Sequence, residues 1–524
     1  MTRAATPRWQ LTDAPHRNMQ PAARAALNED IWSTILSLVD PGDAQSLSLV
    51  SRSVHPAARR AVLSCADISS QSQLEHACAF MIAEPHHRAC WLRELFIDQH
   101  ALDALEHRWD SAEGLSLAAQ LADLLAATQN ITSLALPSVE SILAAEPRVG
   151  TALAALARLE FLSLSGVLTR ALAVANTMAS RPSEVALVLG DPPNAEHAAS
   201  TYLVLLSHLA LLRNARVVEI EFFDMTLDVY VKPKQPSDFA FLLRELGQHP
   251  SVRELCLRNG GPLPLFHIFP NIQTLHMRCL HESFAGFDWR AWAWTASVPL
   301  VDVSADDDDE LACLVGPHGT PTLRQLYLHQ PPSLLRAPDR AFNADDLRPV
   351  CLTFHLEEWH APWNTDLPLW DGYLEDPAGA EGRLRYLQVT AQCHSDEDVP
   401  VQWVEWLLPA LQESALVCVR LNFEAITPSG TVVKLDEARQ MLVEHVPSLR
   451  YLCIAQGQCP LEDLEYAHHP RLVGECAWWR VHEGAGERRV ESISCEAGER
   501  VERYLRSAEF EATLSLDGFV PDEV

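Results

Sequence analysis

The side chains that could do chemistry are few, and the densest group of them comprises His355, Glu357, Glu358 and His360. Imidazole and carboxylate groups are ligands of zinc and related metals, so a suitable loop could bring two of these side chains to one ion. The segment that starts at His355 is loop-like and aromatic, with Trp359 inside the group. This favours a solvated loop, and we predict no metal ligand.

Other reactive groups give no stronger signal. The acidic run from Asp306 to Asp309 lacks the spaced ligands and the glycine of a calcium-binding loop. The chain has no HExxH, GxSxG or Walker motif, and Gly484 and Gly486 lie in a charged tail instead of between a strand and a helix. We therefore predict no catalytic residue, no cofactor and no enzymatic activity.

Tryptophans are more informative, because they form clusters in three segments that interrupt the pattern of the chain. Trp is a favoured interface residue, since its ring buries a large area at a small entropy cost. Two interpretations remain open: the rings pin long loops onto the body, or they contact a partner. On the second interpretation the candidate substrate-binding residues are Trp292, Trp359 and Trp363.

The elements that must position these segments share one repeated spacing, with apolar residues at positions i, i+3 and i+5. Strong copies of this spacing begin at Leu92, Ile131, Leu159, Val252, Ile272, Leu323, Leu384 and Leu449, and weaker copies lie near Val185, Val217, Leu300 and Leu416. The pattern resembles the leucine-rich repeat, in which each unit buries its apolar face against its neighbours. The resemblance covers roughly Leu92 to Tyr466.

A leucine-rich repeat implies an α/β fold: an irregular solenoid with a curved parallel sheet and helices on its outer face. Segments such as Ala118 to Thr128 and Asp238 to His249 are predicted to form these helices. The alternative is a multidomain α/β protein in which the leucine spacing arises by chance.

Composition limits the classes of partner. The chain has 524 residues, of which 48% are hydrophobic, and a formal net charge of −30. This charge repels nucleic-acid backbones and anionic membranes, so we expect neither as a partner. The 13 Cys are scattered without a CxxC motif, and no apolar run reaches 18 residues. We predict mostly buried, reduced thiols and a cytoplasmic or nuclear location.

Three short helices are predicted near the start of the chain. Ile31, Ile35 and Val39 recur at helical spacing, and Pro41 is expected to end that helix. Asp43 is placed to cap a second helix, and Pro56 suits the first turn of a third. Apolar residues fall on more than one face of these helices, so one face can close a small core and another can meet a partner.

This stretch, Leu27 to Leu63, resembles the F-box of fungal proteins, with Asp30-Ile31, Ile35-Leu36, Val39-Asp40-Pro41 and Leu49-Val50-Ser51-Arg52 in the expected places. The resemblance implies an adaptor of a ubiquitin ligase, in which the F-box binds a Skp-type linker and, through it, a cullin. The repeat body then presents an unidentified protein substrate by raising its effective concentration. Carried over by motif, the linker-binding candidates are Leu27, Ile31, Ile35, Leu36, Val39, Asp40, Pro41, Leu47 and Val50.

Four regions follow from these patterns: a disordered segment (1–23), an F-box-like helical domain (24–66), a repeat solenoid (67–480) and an acidic C-terminal cap or tail (481–524). The alternative function is a leucine-rich-repeat scaffold or sensor without a ubiquitin role. A helical cap would then be covered by the first repeats, whereas an F-box must leave an apolar face accessible.

Overall fold

The structure is a computed structural model, and it describes residues 29–36, 38–39, 41–50, 52, 54–103, 108–190, 204–222, 246–259, 265–278, 299–305, 314, 322–328, 348–356, 382–393, 399–412, 414–425, 435–458, 473–483 and 488–521. These residues form a mixed α/β fold built on one sheet of 16 strands. The mixed α/β class and the mostly parallel sheet are therefore confirmed.

Every strand pairs only with the strands before and after it in the chain. Pairing is parallel from the first strand to the fourteenth and antiparallel for the last two. In chain order the strands are β1 Cys65–Ile68, β2 Glu94–Ile97, β3 Ser133–Leu136, β4 Phe161–Val167, β5 Glu184–Leu189, β6 Val217–Phe222, β7 Glu254–Arg258, β8 Thr274–Arg278, β9 Asp302–Ala305, β10 Gln325–Leu328, β11 Cys351–Leu356, β12 Tyr386–Cys393, β13 Cys418–Ala425, β14 Tyr451–Gln458, β15 Val473–His482 and β16 Arg489–Ile493.

Helices precede, separate and follow these strands. They are α1 Glu29–Leu36, α2 Pro41–Val50, α3 His55–Ser64, α4 Gln71–Ala83, α5 Ala112–Ala127, α6 Val139–Ala145, α7 Arg148–Ala155, α8 Thr169–Thr177, α9 Leu265–Ile268, α10 Val399–Gln412, α11 Leu435–His445, α12 Cys495–Leu505 and α13 Ala508–Thr513. Serine side chains cap several of them: Ser70 accepts from the N–H of Gln73 before α4, and Ser111 accepts from Gly114 before α5. Among the described helices, none is long and apolar enough to cross a membrane.

The main core lies between the sheet and the helix layer. Side chains alternate between the two faces of a strand, and in β4 Leu162 and Leu164 are buried in this core with residues such as Leu121 of α5 and Leu172 of α8. The opposite face of the sheet, called the inner face below, carries the alternate residues. It has its own smaller cluster at the C-terminal end of the sheet.

The repeated spacing located most of the strands. All the strong copies and all the weak copies overlap strands, because the second and third apolar residues of each copy point into the main core. Helix α4 lies between β1 and β2, from Gln71 to Ala83. Three strands were missed: β11, where a loop was predicted from His355, and the antiparallel pair β15 and β16, which has no outer helix to impose the repeat.

Other local predictions needed correction. Helix α1 ends at Leu36, so Val39 lies in the turn after it, and α2 begins at Pro41 with Asp43 inside its first turn. Residues 246–249 are not helical, and the rest of the helix predicted from Asp238 lies outside the described residues. The segment 1–23 also lies outside them.

Candidate functional site

The first candidate surface is the three-helix unit formed by α1, α2 and α3. Its helices pack around a small buried cluster that consists of Leu36, Ala44, Val54 and Ala58. Trp32 and Leu47 pack partly buried against this cluster. Leu63 is the first residue along the chain that belongs to the main core of the sheet, so the three-helix unit has a core of its own.

Three large apolar side chains of this unit face solvent. The exposed fraction is 47% for Ile31, 84% for Leu38 and 82% for Leu49. Full burial of such a side chain is worth about 1.5–3 kcal/mol. Isolated exposed leucines are common on protein surfaces, but three within residues 31–49 give this small unit an apolar surface that a partner can cover.

The predicted linker-binding residues divide between core and surface. Leu36 is 4% exposed and belongs to the core cluster, whereas Ile31 is exposed. Ile35, Val39 and Leu47 are half-buried. The remaining candidates cannot be assigned to either group: Leu27 and Asp40 lie outside the described residues, and the side chains of Pro41 and Val50 in α2 are also outside them.

Sequence reasoning left Leu38 and Leu49 out of the candidate list. Both are more exposed than any candidate whose burial is described. Their positions relative to the predicted helices could have identified them. Leu38 follows the last turn of α1, and Leu49 lies two residues after Leu47, on a different side of α2.

The unit joins the sheet through a narrow junction. Helix α3 runs directly into β1, and the carbonyl oxygen of Ser64 accepts a hydrogen bond of 2.8 Å from the N–H of Arg93 beside β2. The guanidinium of Arg60 lies over the ring of Trp91 at 4.8 Å. These contacts fix α3 and leave the exposed side chains of α1, α2 and the turn between them uncovered.

The second candidate surface is the inner face of β5–β7. It carries four carboxylates, Glu184, Glu219, Glu221 and Glu254, called the inner carboxylate group. Arg258 Nε lies 2.7 Å from Glu219 Oε1, and His276 Nε2 lies 3.5 Å from Glu254 Oε1. Asn259 donates a hydrogen bond of 3.2 Å to Glu221.

The pKa shifts of three of these carboxylates differ in direction. Burial, and then the charges of Glu254 and Glu219, raise the pKa of Glu184. Burial also raises the pKa of Glu221. In contrast, the hydrogen bond with His276 lowers the pKa of Glu254 despite its burial. The hydrogen bond with His276 therefore favours the charged form of Glu254, whereas burial disfavours the charged forms of Glu184 and Glu221.

The inner face of β11–β15 is covered by the C-terminal helices α12 and α13, together called the C-terminal cover. Val501 and Leu505 of α12 and Phe510 of α13 are buried against an apolar cluster of strand residues that includes Cys351, Tyr386, Cys418, Tyr451, Cys453 and Trp478. The thiol of Cys351 donates to the carbonyl oxygen of Leu505 at 3.3 Å. The predicted C-terminal cap thus lies across a face of the sheet as well as at its end.

Gly498 permits this close packing. A Cβ atom added at Gly498 would lie 2.2 Å from ring atoms of Trp478, which is buried beneath α12. No side chain fits at this distance, because the indole ring is held in a close-packed interior. The glycine therefore sets how near the helix approaches β15.

Charged groups join the C-terminal cover to the sheet. Glu502 pairs with Arg420 of β13 and, at 3.1 Å, with Arg506, the residue that follows α12. Arg506 also donates to Gln325 of β10 at 2.8 Å and to Gln388 of β12 at 3.0 Å. Burial raises the pKa of Glu502, yet Arg420 and Arg506 outweigh it and hold this pKa below its usual range. The carboxylate is therefore ionised beneath the cover.

A second carboxylate repeats this arrangement at α13. Glu511 accepts from Arg324 at 2.9 Å and from Arg383 at 2.8 Å. Both arginines lie beside strands of the sheet, and they hold the pKa of Glu511 below its usual range although burial opposes them. The contacts of Glu511 extend the charged attachment from α12 to α13.

The other chemical candidates gain no support from the described residues. His355 lies on β11, and its predicted companions Glu357, Glu358 and His360 lie outside the described residues, as do Asp306 to Asp309. Within the part of the chain that the structure describes, no group of three or more His, Cys, Asp or Glu side chains could hold a metal ion. The substrate-binding candidates Trp292, Trp359 and Trp363 also lie outside it.

A scan against protein-family models and a search of curated proteins both found no match.

Proposed function

We propose that the chain is a substrate-recognition adaptor of a cullin-RING ubiquitin ligase: an F-box formed by α1–α3 binds a Skp-type linker, and a leucine-rich-repeat body binds a target protein. The observation that carries the proposal is the exposed apolar surface of the three-helix unit. Units of under about 40 residues usually need outside help to be stable. A partner that covers Ile31, Leu38 and Leu49 would supply it.

The narrow junction with the sheet favours an adaptor over a cap. A cap needs its apolar surface to face the first repeat, where the repeat can cover it. Among the described contacts, the unit meets the start of the sheet at α3, through the Arg60–Trp91 contact and the Ser64–Arg93 hydrogen bond. The exposed leucines lie on the other parts of the unit.

The sequential pairing of the strands supports the repeat body. Fourteen consecutive described strands pair in parallel and in chain order, which is the pairing of a solenoid. Because the C-terminal cover occupies the inner face of β11–β15, the proposed substrate contacts lie on the inner face nearer the N-terminal end of the sheet. The Trp-bearing segments remain candidates for additional contacts.

The test is binding of the full-length protein to a purified Skp-type linker. The informative variant is Leu38→Asp combined with Leu49→Asp, because both side chains are exposed and neither belongs to the core cluster. Leu36→Asp, alone or with Leu47→Asp, is a poorer choice, since Leu36 is buried and its loss disrupts the unit itself. An unpaired carboxylate in an apolar interface costs several kcal/mol, so we expect a loss of binding of more than about tenfold.

Leu115→Asp is the matched control, because Leu115 is 43% exposed on the sheet-bound helix α5. It is expected to bind the linker like the wild type. Wild-type affinity of the double variant would show that the chosen surface is wrong. If the wild-type chain itself fails to bind any Skp-type linker, the leucine-rich-repeat scaffold or sensor without a ubiquitin role becomes the better hypothesis.

A further inference from the structure

Three cysteines meet where the C-terminal cover begins. Cys453 lies on β14, Cys476 on β15, and Cys495 is the first residue of α12. The sulfur atoms of Cys453 and Cys476 are 3.5 Å apart, and the thiol of Cys495 donates to the carbonyl oxygen of Cys476 at 2.9 Å. All three are free thiols.

Strand register selects the pair that a disulfide could join. Trp478 lies opposite Ile493 and Trp479 opposite Ser492 in the antiparallel pair β15–β16. The paired residues end at Ile493, but Ser494 keeps an extended backbone, with φ −67° and ψ 152°, so Cys495 follows at the position that faces Cys476, and its thiol lies 2.9 Å from the carbonyl oxygen of Cys476. Opposite residues in such a pair have Cα atoms about 4.5–5.5 Å apart, a separation that a disulfide accepts.

Cys453 is less well placed to form that bond. It lies opposite Trp478, so Cys476 is its diagonal neighbour across β14 and β15. Diagonal neighbours are about 7–8 Å apart, and Cα atoms beyond about 7 Å are not bridged without movement of the backbone. The contact between these two sulfur atoms is therefore suited to a hydrogen bond.

The surroundings make Cys476 the most reactive of the three. The hydrogen bond with Cys453, and then Arg420 and Cys495, lower the pKa of the Cys476 thiol to about 6 although burial opposes them. Burial raises the pKa of Cys453 well above its usual range, and burial followed by the charge of Cys476 raises that of Cys495. The thiolate is the form of cysteine that attacks oxidants, and the exposed Cys495 opens the site to solvent.

We propose that Cys476 and Cys495 form a peroxide-sensitive thiol pair whose disulfide fixes the C-terminal cover on the sheet. The Cys476 thiolate attacks one oxygen of hydrogen peroxide; the O–O bond breaks, hydroxide leaves, and Cys476 becomes a sulfenic acid. The Cys495 sulfur then attacks the sulfenic sulfur, the S–O bond breaks, and the departing hydroxide takes the thiol proton of Cys495 to form water. The hydroxide released in the first step takes up the proton that the Cys476 thiol had lost to solvent, so two thiols are oxidised while one peroxide is reduced to two waters.

The new bond would act on the start of α12. In the reduced chain this helix is held by Val501, Leu505 and the charged contacts of Glu502 and Arg506. A covalent bond at its first residue restrains the helix at the end opposite to Leu505 and Arg506. Oxidation is therefore expected to suppress opening of the cover and keep the inner face of β11–β15 occupied.

Peptide mapping of the full-length protein tests the pairing. After treatment with hydrogen peroxide at pH 7, alkylation of remaining thiols and trypsin digestion without reductant, Cys476 lies in peptide 472–480, Cys495 in 490–500 and Cys453 in 451–471. The expected product is a linked pair of peptides 472–480 and 490–500. A link from 472–480 to 451–471, or no link to 472–480, would overturn the proposal.

Two variants check the order of the steps. In Cys495→Ser the link is lost and Cys476 is expected to persist as a sulfenic acid that dimedone labels. Cys90→Ser is the matched control, because Cys90, like Cys495, is a free thiol that donates to a backbone carbonyl, in this case that of His86 at 2.9 Å. The control should retain the link. Dimedone labelling of Cys495 ahead of Cys476 would contradict the assigned nucleophile.

Hydrogen–deuterium exchange of the wild-type chain tests the consequence. Oxidised protein should exchange the amides of α12 at least several-fold more slowly than reduced protein, with no change in α4 at the other end of the sheet. Equal exchange of α12 in both states would show that the disulfide does not restrain the cover.

Discussion

The helices at the two ends of the sheet differ in whether their large apolar side chains are exposed or buried. At the N-terminal end, α1–α3 enclose a small core and leave Ile31, Leu38 and Leu49 exposed. At the C-terminal end, α12 and α13 bury Val501, Leu505 and Phe510 against the inner face of the sheet. The comparison separates an apolar surface that is buried against the sheet from one that remains exposed among the described residues.

The contacts that attach these two helical regions to the sheet also differ in charge. Glu502 and Glu511 of the C-terminal cover form ion pairs with arginines that lie in the strands or beside them. At the junction of the three-helix unit, the described contacts include the cation–π contact of Arg60 with Trp91 and the backbone hydrogen bond from Arg93 to Ser64. The C-terminal helices are thus fixed in orientation by charged contacts, whereas the N-terminal unit is tied mainly through α3.

The largest expected effect is at Phe510, which is fully buried in the C-terminal cover. Phe510→Ala should lower the free energy of unfolding by about 3–5 kcal/mol, because a large apolar side chain is lost and a cavity remains. Urea denaturation measures this change. The control is Phe80→Ala, since Phe80 is 45% exposed on α4 and contacts Arg88 at 4.0 Å. Its expected cost is about 1 kcal/mol or less, and equal losses would contradict the buried cover.

Removing the charge of Glu502 is expected to have the next effect. Glu502→Gln leaves Arg420 and Arg506 without their buried counter-ion, and breaking such a pair costs about 3 kcal/mol. Glu496→Gln is the matched control on the same helix, where an 82% exposed side chain pairs only with Arg500. A surface pair is worth about 1 kcal/mol at most. Similar losses for both variants would show that Glu502 is not a buried attachment.

The same carboxylate gives a pH dependence of defined sign. The folded-state pKa of Glu502 is lowered, so its contribution is present above the unfolded value of about 4.3 and is lost as pH falls through the folded-state pKa. The difference in unfolding free energy between the wild type and Glu502→Gln should therefore be largest near neutral pH and shrink in acid. Urea titrations at a series of pH values measure it. A difference that grows in acid would reverse the assigned sign.

Gly498 provides a smaller steric test of the cover. Gly498→Ala should cost about 1–3 kcal/mol, because the new methyl group overlaps the buried ring of Trp478. Near-ultraviolet circular dichroism should also report the displaced indole. Glu499→Ala, at the next and exposed position of α12, is expected to change the unfolding free energy by no more than about 0.5 kcal/mol. A neutral Gly498→Ala would mean that α12 lies farther from β15.

The smallest effect on stability is expected on the N-terminal unit. Leu49→Ala should change the free energy of unfolding by about 0.5 kcal/mol or less, because the side chain is 82% exposed. Linker binding should weaken nevertheless, if this surface is the contact. Denaturation and binding measured on the same preparation separate the two properties. A large loss of stability would show that Leu49 packs within the chain and would remove the contrast between the two ends.

Much of the architecture was predictable because it repeats. The spacing of residues such as Leu134 with Leu136 and Leu255 with Leu257 located strands, since each pair enters the main core beside its neighbours. Strand β11 was missed because Val350 and Cys351 break the usual leucine pattern and the segment after His355 resembles a loop. Strands β15 and β16 were missed because antiparallel strands at the end of the sheet do not follow the repeat.

The candidate surfaces were only partly predictable for a different reason. Helical periodicity shows that Ile31, Leu36 and Leu47 are apolar positions of short helices, but it cannot show which of them meet inside the unit. Packing decided that Leu36 is core and that Leu38 and Leu49 are surface. In the same way, residues 481–524 were predicted to form a cap or tail, yet the position of their helices over the inner face was not predicted.

The sequence by itself determined most of the local elements, the mixed α/β class and the parallel sheet, because these depend on periodic patterns within some twenty to forty residues. Only the tertiary structure decided that Glu502 meets Arg420, that Gly498 lies against Trp478 and that Cys476 lies beside both Cys453 and Cys495. These contacts depend on how the chain returns across the sheet after β16. The burial of apolar surface and the pairing of charges between distant segments determine that path, and the pattern of residues within one segment does not predict it.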